Sequence, residues 1–243
     1  GLTDAKVALT EAGGDFDKAL ETLKKVNQYQ LSKEENTQYI LKLGYAKFMT
    51  GDSKGAIDAL EEAYKTADQS QKGEIAYMLG HLYYSNRQND KAFQYFDSIK
   101  DQDKFSKLVR PYYVQMYYND KNYDQAITEG NALLNENISD SYKAEVHKII
   151  GESYFMKNDY TSAYPHLKDY LSVQQNPSEN DLYEMGFVAA QLKKYDEAVS
   201  YYNQLLNSNS ALAQNAYYQL GNAYLAVDKK QEALSAFRSS YQM

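Results

Sequence analysis

Seven alanines constrain this chain more than anything else in it. Ala19, Ala56, Ala92, Ala126, Ala163, Ala198 and Ala233 follow one another at intervals of 37, 36, 34, 37, 35 and 35 residues. A period of this length is the mark of stacked copies of one supersecondary unit, and it decides the fold before any local propensity does. Each alanine sits in the second half of a helical hairpin pattern, clearest in Asn215 to Phe237. There Tyr217, Leu220, Gly221 and Tyr224 share one face at the i, i+3, i+4, i+7 spacing of an amphipathic helix. Asp228-Lys229-Lys230 breaks the pattern, and Ala233, Leu234 and Phe237 are expected on the buried face of a second helix. Gly221 and Ala233 are predicted to face each other where bulk would hold the two backbones apart.

The same pattern slides back along the chain. The small residue of the first helix recurs as Gly44, Gly80, Gly151, Gly186 and Gly221, with Val7 and Val114 in the remaining slots. Leu43, Leu79, Tyr113, Ile150, Met185 and Leu220 precede it, and Tyr83, Tyr117, Tyr154 and Tyr224 lie three residues beyond. After the alanines, Leu23, Leu60, Phe96, Leu167, Tyr202 and Phe237 extend the buried stripe. Asp15, Asp52, Asn122 and Asp159 are placed to cap the second helices by accepting backbone N–H bonds. Phe16, Tyr123, Tyr160 and Tyr195 follow the break, where a ring can pack back across the turn. The neighbouring carboxylates Glu34-Glu35 and Glu61-Glu62 read as solvated faces. Pro111 is harmless if its helix starts near Arg110 and kinks the helix if it starts near Asp103. Pro165 falls about one turn into its helix, where a mild bend is expected.

Together these positions resemble the tetratricopeptide repeat, a helix–turn–helix unit of about 34 residues with the pattern W-x-x-L-G-x-x-Y…A-x-x-x-F. The Trp slot departs from the pattern and holds Ile40, Ala76, Arg110, His147, Leu182 and Tyr217. The resemblance implies an all-α fold, a right-handed α-solenoid superhelix of antiparallel helix pairs, running as a single array over 1–243. Seven units are expected, at about 1–26, 37–70, 73–101, 107–137, 142–174, 179–208 and 212–243. The first begins inside a helical pattern at Ala5, Val7 and Ala8, ahead of a Gly13-Gly14 break. The last stops in a helix at SAFRSSYQM. Repeat arrays ordinarily end in polar capping units, so the chain reads as a piece of a longer protein. Self-association through uncapped ends is a further expectation.

Catalytic constellations are thin. There is no G-x-S-x-G, no H-E-x-x-H and no glycine loop of the kind that cradles phosphate. His81, His147 and His166 are the three histidines, and no two share metal-ligand spacing. The lack of cysteine excludes disulfides, thiolate metal sites and Cys nucleophiles. It also fits an exported bacterial protein, and the resemblance to repeat arrays of bacterial envelope proteins implies the periplasm or cell envelope as the expected home. A net charge of −7 with no Lys/Arg cluster argues against a nucleic-acid partner. No apolar run approaches the ~18 residues of a membrane span. No catalytic residue, metal or cofactor is expected.

The place to look for function is the concave surface that stacked helix pairs create. By resemblance to the family, the first helix of each unit lines it, at one, four and five positions after the small residue and three before. The candidate partner-binding residues are Tyr45 and Phe48, then Tyr77, His81 and Tyr84, then Gln115, Tyr118 and Asn119. Glu152 and Phe155, Tyr183 and Phe187, and Tyr218 and Asn222 complete the set, with Lys148 also on the lining. Rigid rings with a polar tip give contact area at low entropic cost. The same rings could instead serve contact between neighbouring units. Chaperone-binding members of the family hold a C-terminal carboxylate with a Lys and an Asn one turn apart. The slots here read Leu41/Tyr45, Tyr77/His81, Lys148/Glu152, Tyr183/Phe187 and Tyr218/Asn222, and none carries that pair. The expected function is a non-catalytic scaffold that binds an extended peptide or protein segment. The alternative is a glycan-binding or accessory repeat domain of a multidomain envelope enzyme.

Overall fold

The computed structural model describes residues 15–243. The helix expected around Ala5, Val7 and Ala8 and the Gly13-Gly14 break lie outside the described residues. The chain divides into two compact units, one ending at Met116 and the other spanning Tyr117–Met243. Among the described residues there are thirteen α-helices, one 3-10 helix and no strand. The first unit holds α1 (Phe16–Lys24), the 3-10 helix Gln28–Gln30, α2 (Lys33–Met49), α3 (Ser53–Thr66), α4 (Gln69–Ser85), α5 (Asn89–Asp97) and most of α6 (Asp103–Asn119). The second holds α7 (Tyr123–Leu134), α8 (Asp140–Met156), α9 (Tyr160–Ser172), α10 (Glu179–Gln191), α11 (Tyr195–Asn203), α12 (Ala211–Ala226) and α13 (Lys230–Gln242). Within each unit the helices pack in consecutive pairs, α2 on α3 and α4 on α5, then α8 on α9, α10 on α11 and α12 on α13. This is the construction of a helical solenoid.

Capping sets the helix starts, and it follows the repeat. Asp15, Asp52, Asn122 and Asp159 accept backbone N–H bonds from Lys18, Gly55, Gln125 and Ser162, so the four expected caps of second helices are in place. Four of the first helices use serine instead. Ser32 and Ser178 form capping boxes with Glu35 and Asp181, while Ser139 and Ser210 accept from Tyr142 and Ala213. The turn inside each pair is equally regular. Gly51, Arg87, Lys121, Asn158, Lys193 and Asp228 all have φ between 59° and 89°, and each directly precedes the N-cap of the second helix. The following N–H reaches back to a first-helix carbonyl, as in Gln88 to Tyr83 at 2.9 Å and Lys194 to Ala189 at 2.8 Å. That left-handed residue ends the first helix and aims the chain back along it. Glycine fills the slot without steric cost at Gly51 alone of the six positions.

The seven alanines are buried, none more than 1% exposed. The small residue of the first helix, however, does not chiefly accommodate the alanine. A Cβ on Gly80 would come within 2.4 Å of the Phe96 ring, and one on Gly186 within 2.7 Å of Tyr202. Gly44, Gly151 and Gly221 meet Leu60, Leu167 and Phe237 in the same way. The partner in every case is the large residue four beyond the alanine, which enters the notch that the glycine leaves. Leu234 also departs from expectation. It is 45% exposed, and Ala236 takes the buried position on α13. Glu61 is not merely solvated, because it accepts hydrogen bonds from the Tyr83 and Tyr95 hydroxyls. Helix α6 starts at Asp103, so Pro111 lies in its interior and one i→i−4 bond is missing there. Pro165 is likewise inside α9.

Candidate functional site

In the first unit the candidate residues converge on one ring. Tyr77, His81 and Tyr84 lie along α4, and all three meet Tyr112 of α6, at centroid distances of 6.3, 5.9 and 5.1 Å. The Tyr112 hydroxyl and His81 Nδ1 are 2.7 Å apart, a hydrogen bond. Phe48 of α2 also meets His81 edge-on at 5.5 Å. Tyr45, 40% exposed, packs edge-on against Phe16 of α1. Burial pushes the His81 pKa down, so the imidazole stays neutral. Burial, then the hydrogen bond to Tyr77, pushes the Tyr112 phenol up. Gln115 is half-buried on α6. The result is a packed, uncharged, aromatic face.

In the second unit the face carries charge. Tyr118, at the end of α6, packs its ring on Tyr123 at 5.8 Å and hydrogen-bonds Glu152 of α8. Lys148, one turn earlier on α8, lies 3.8 Å from Glu152 and 3.3 Å from Asp181 of α10. Its ammonium also sits over the Tyr170 ring, 5.1 Å from the centroid. Phe155 and Phe187 meet edge to face at 5.8 Å, and Tyr160 closes a three-ring group with both. Further along, Tyr183 packs on Tyr202 at 5.8 Å and hydrogen-bonds Gln219 of α12. Tyr218 is 53% exposed beside Phe237, and Asn222 and Asn119 are exposed.

The electrostatics of this face centre on Glu184. Burial first, then the neighbouring charges of Glu152 and Asp181, push its carboxyl up to about 8, against the opposing pull of Lys148. Burial also raises Glu152, although Lys148 and Tyr118 pull it the other way. Asp181 moves in the opposite direction. Burial would raise it, but Ser178 and Lys148 outweigh that and hold it low.

Two of the residues that make these faces fall outside the map drawn from the sequence. Tyr112 and Glu184 each lie two positions before the small residue of their unit, Val114 and Gly186. Gln219, the partner of Tyr183, occupies the same slot before Gly221. That slot is three residues from the position just after the small residue, so helical geometry puts the two side by side. His147 and His166 also come together despite their spacing in sequence, because α8 and α9 are the two helices of one pair. Their Nδ1 atoms are 3.0 Å apart, with His147 Nε2 3.8 Å from Asp169. The ring centroids are 5.2 Å apart, so the two nitrogens face each other along the line of centres. That arrangement is an N–H···N hydrogen bond in which one imidazole donates and the other accepts, so the accepting lone pair is already engaged. Among the described residues no group of three or more His, Cys, Asp or Glu is arranged to hold a metal ion. No helix among them is long and apolar enough to cross a membrane.

A family model for the tetratricopeptide repeat matches residues 41–107 and 183–243. A curated relative, the BBSome complex member BBS4 homolog of Drosophila melanogaster, is 24% identical over 233 residues, which is 91% of this chain and 46% of that protein. The chain thus spans about half the length of the curated relative it matches. Two solved structures share the fold. The C-terminal part of a TPR repeat-containing protein from Cytophaga hutchinsonii aligns with a TM-score of 0.71 at 16% identity, covering 98% of this chain and 93% of that one. A tetratricopeptide repeat protein from Parabacteroides merdae aligns with a TM-score of 0.63 at 16% identity, covering 100% and 91%.

Proposed function

The chain belongs to the tetratricopeptide repeat family, and we propose that it is a non-catalytic scaffold that binds an extended peptide or protein segment along its first-helix faces. The observation that carries this reading is the division of labour along each first helix. Leu79, Ile150, Met185 and Leu220 are buried, while Tyr45, Tyr218 and Asn222 on the candidate face are exposed. Exposed tyrosines that contribute little to a core are what a binding surface needs. The family typically serves as non-catalytic scaffolding between proteins. The Drosophila relative is a member of a complex, a setting that suits a repeat scaffold. The same reading treats 1–243 as one array of seven units. The glycan reading has less support, because Phe16 on Tyr45, Phe48 on His81 and Tyr84 on Tyr112 meet edge to face and leave few flat platforms for a sugar. An envelope location rests on the resemblance to repeat arrays of bacterial envelope proteins, and fractionation of cells that express the native gene tests it.

Selection of a random-peptide display library on the intact chain tests the scaffold reading. The expected result is a consensus segment whose binding weakens at least tenfold with Tyr45→Ala or Tyr218→Ala while thermal unfolding is unchanged. Failure to enrich any consensus, or binding indifferent to both substitutions, overturns it.

A further inference from the structure

The shared face of α8 and α10 is a ladder of three rungs. Lys148 and Asp181 form one rung, an ion pair at 3.3 Å. Phe155 and Phe187 form another, an edge-to-face ring pair at 5.8 Å. Between them in sequence on each helix stand Glu152 and Glu184. This middle rung sets like charge against like. The face therefore presents three carboxylates against a single ammonium, and that ammonium is already engaged by Asp181, Glu152 and the Tyr170 ring. Glu152 takes a hydrogen bond from Tyr118. Glu184 is half-buried and takes no hydrogen bond or ion pair from any described residue.

A partly buried carboxylate without a partner is costly. A face that served packing alone would be more stable with an apolar residue there. We infer that this face docks a guanidinium or ammonium side chain of an extended partner segment, seated between Glu152 and Glu184 with its aliphatic stem over Phe155 and Phe187. The inference rests on the scaffold reading and adds the chemistry of the segment. Charge complementarity selects the occupant. An acidic or C-terminal carboxylate would be repelled by the carboxyl groups of this face, and a neutral side chain would leave the middle rung uncompensated. A long basic side chain satisfies both ends, because its stem covers apolar surface while its head pairs with the carboxylates.

Docking of a cation has a further signature. Glu184 faces Glu152 and Lys148 from α8, Asp181 from its own helix and Tyr118 from α6, and in this setting its carboxyl titrates at about 8. At pH 7 the free protein therefore holds a proton on Glu184 most of the time. An arriving cation favours the carboxylate, so binding releases that proton.

The test uses acetyl-Phe-Arg-Phe-amide and the same tripeptide with citrulline, the uncharged isostere of arginine, titrated calorimetrically into the whole 243-residue chain at low salt. The arginine tripeptide is expected to bind saturably and at least tenfold more tightly than the citrulline one. Glu184→Gln and Glu152→Gln are each expected to weaken the arginine tripeptide at least fivefold. The binding heat in the wild-type chain at pH 7 should vary with the ionisation enthalpy of the buffer, and this dependence should vanish in Glu184→Gln. Glutamine relieves the like-charge contact, so both variants should fold, and circular dichroism confirms it. Equal affinity for the two tripeptides, indifference to both substitutions, or no saturable binding overturns the inference. If display selection yields a consensus while the tripeptide fails, the docking site is wrong and the scaffold stands. If the tripeptide binds while selection yields none, the scaffold reading fails and the cation site stands.

Discussion

The first-helix faces of the two units share one scaffold and treat polarity in opposite ways. Up to Met116 the face is closed by rings, with Tyr77, His81 and Tyr84 all turned onto Tyr112, and burial keeps its histidine neutral. From Tyr117 onward the corresponding positions hold Glu152, Glu184 and Lys148, and the charges are only partly balanced. The difference is not one of backbone. Both units set a glycine against the large residue of the second helix, Gly80 against Phe96 in one and Gly186 against Tyr202 in the other. Both also turn at a left-handed residue before the second helix. The notch and the turn repeat because every pair must close the same way. The face varies because neither the notch nor the turn is built from it. Closure of each hairpin thus rests on the notch and the turn, and chemical character on the first-helix face.

The sharpest way to break this comparison is to remove the hub of the neutral face. Tyr112→Ala deletes the ring that Tyr77, His81 and Tyr84 share, and should destabilise the first unit by about 2–3 kcal/mol. Hydrogen exchange should report the loss in α4 and leave α10 and α12 protected. Equal loss of protection in α10 would mean that the ring cluster is not local to its unit.

The charged face predicts an opposite sign. Glu184 has a folded pKa of about 8, above its value in an unfolded chain. Its contribution to stability is therefore fully present below about pH 4.5 and is lost as pH rises through 8. Glu184→Gln should remove that loss and stabilise the second unit at pH 8.5 by on the order of 2 kcal/mol, with little effect at pH 5. Urea unfolding at the two pH values measures it. His166, pushed down by burial and then by His147, works the other way. Its contribution is present above about pH 6.5 and is lost on acidification. His81 in the first unit has the same sign, so both units should weaken together below pH 6.

Tyr112→Phe is a finer probe. It keeps the ring and deletes the hydroxyl that bonds His81 Nδ1 at 2.7 Å. The expected cost is about 1 kcal/mol, seen as a modest fall in the unfolding midpoint. A larger fall would mean that the hydrogen bond, rather than ring packing, organises the neutral face.

Much of the scaffold was legible in the sequence because it repeats. The alanine period located the five packed helix pairs, and the acidic or amide caps at Asp15, Asp52, Asn122 and Asp159 were visible as residue types. What stayed hidden depends on geometry that no period encodes. That Gly221 faces Phe237 rather than Ala233 follows from how two helices cross. That Leu234 is exposed follows from which side of α13 meets α12. Tyr112 and Glu184 were missed because the lining map left out the slot two before the small residue. The His147–His166 bond was hidden because its members sit on different helices. Glu61 looked solvated because its partners, Tyr83 and Tyr95, lie on other helices.

The central claim is that binding character lies on the exposed first-helix residues and hairpin closure on the buried residues that fill the notches, and a paired alanine scan tests it most directly. Tyr45, Phe187 and Tyr218 represent the binding face and Phe96 and Tyr202 the scaffold, each variant measured for urea unfolding and for affinity toward the peptide selected by display. Tyr218→Ala, at 53% exposure, should change stability by less than about 0.5 kcal/mol and weaken binding at least tenfold. Tyr202→Ala, fully buried, should lose about 3–5 kcal/mol. If binding and stability instead fall in proportion across both sets, the two faces are one, and the account is wrong.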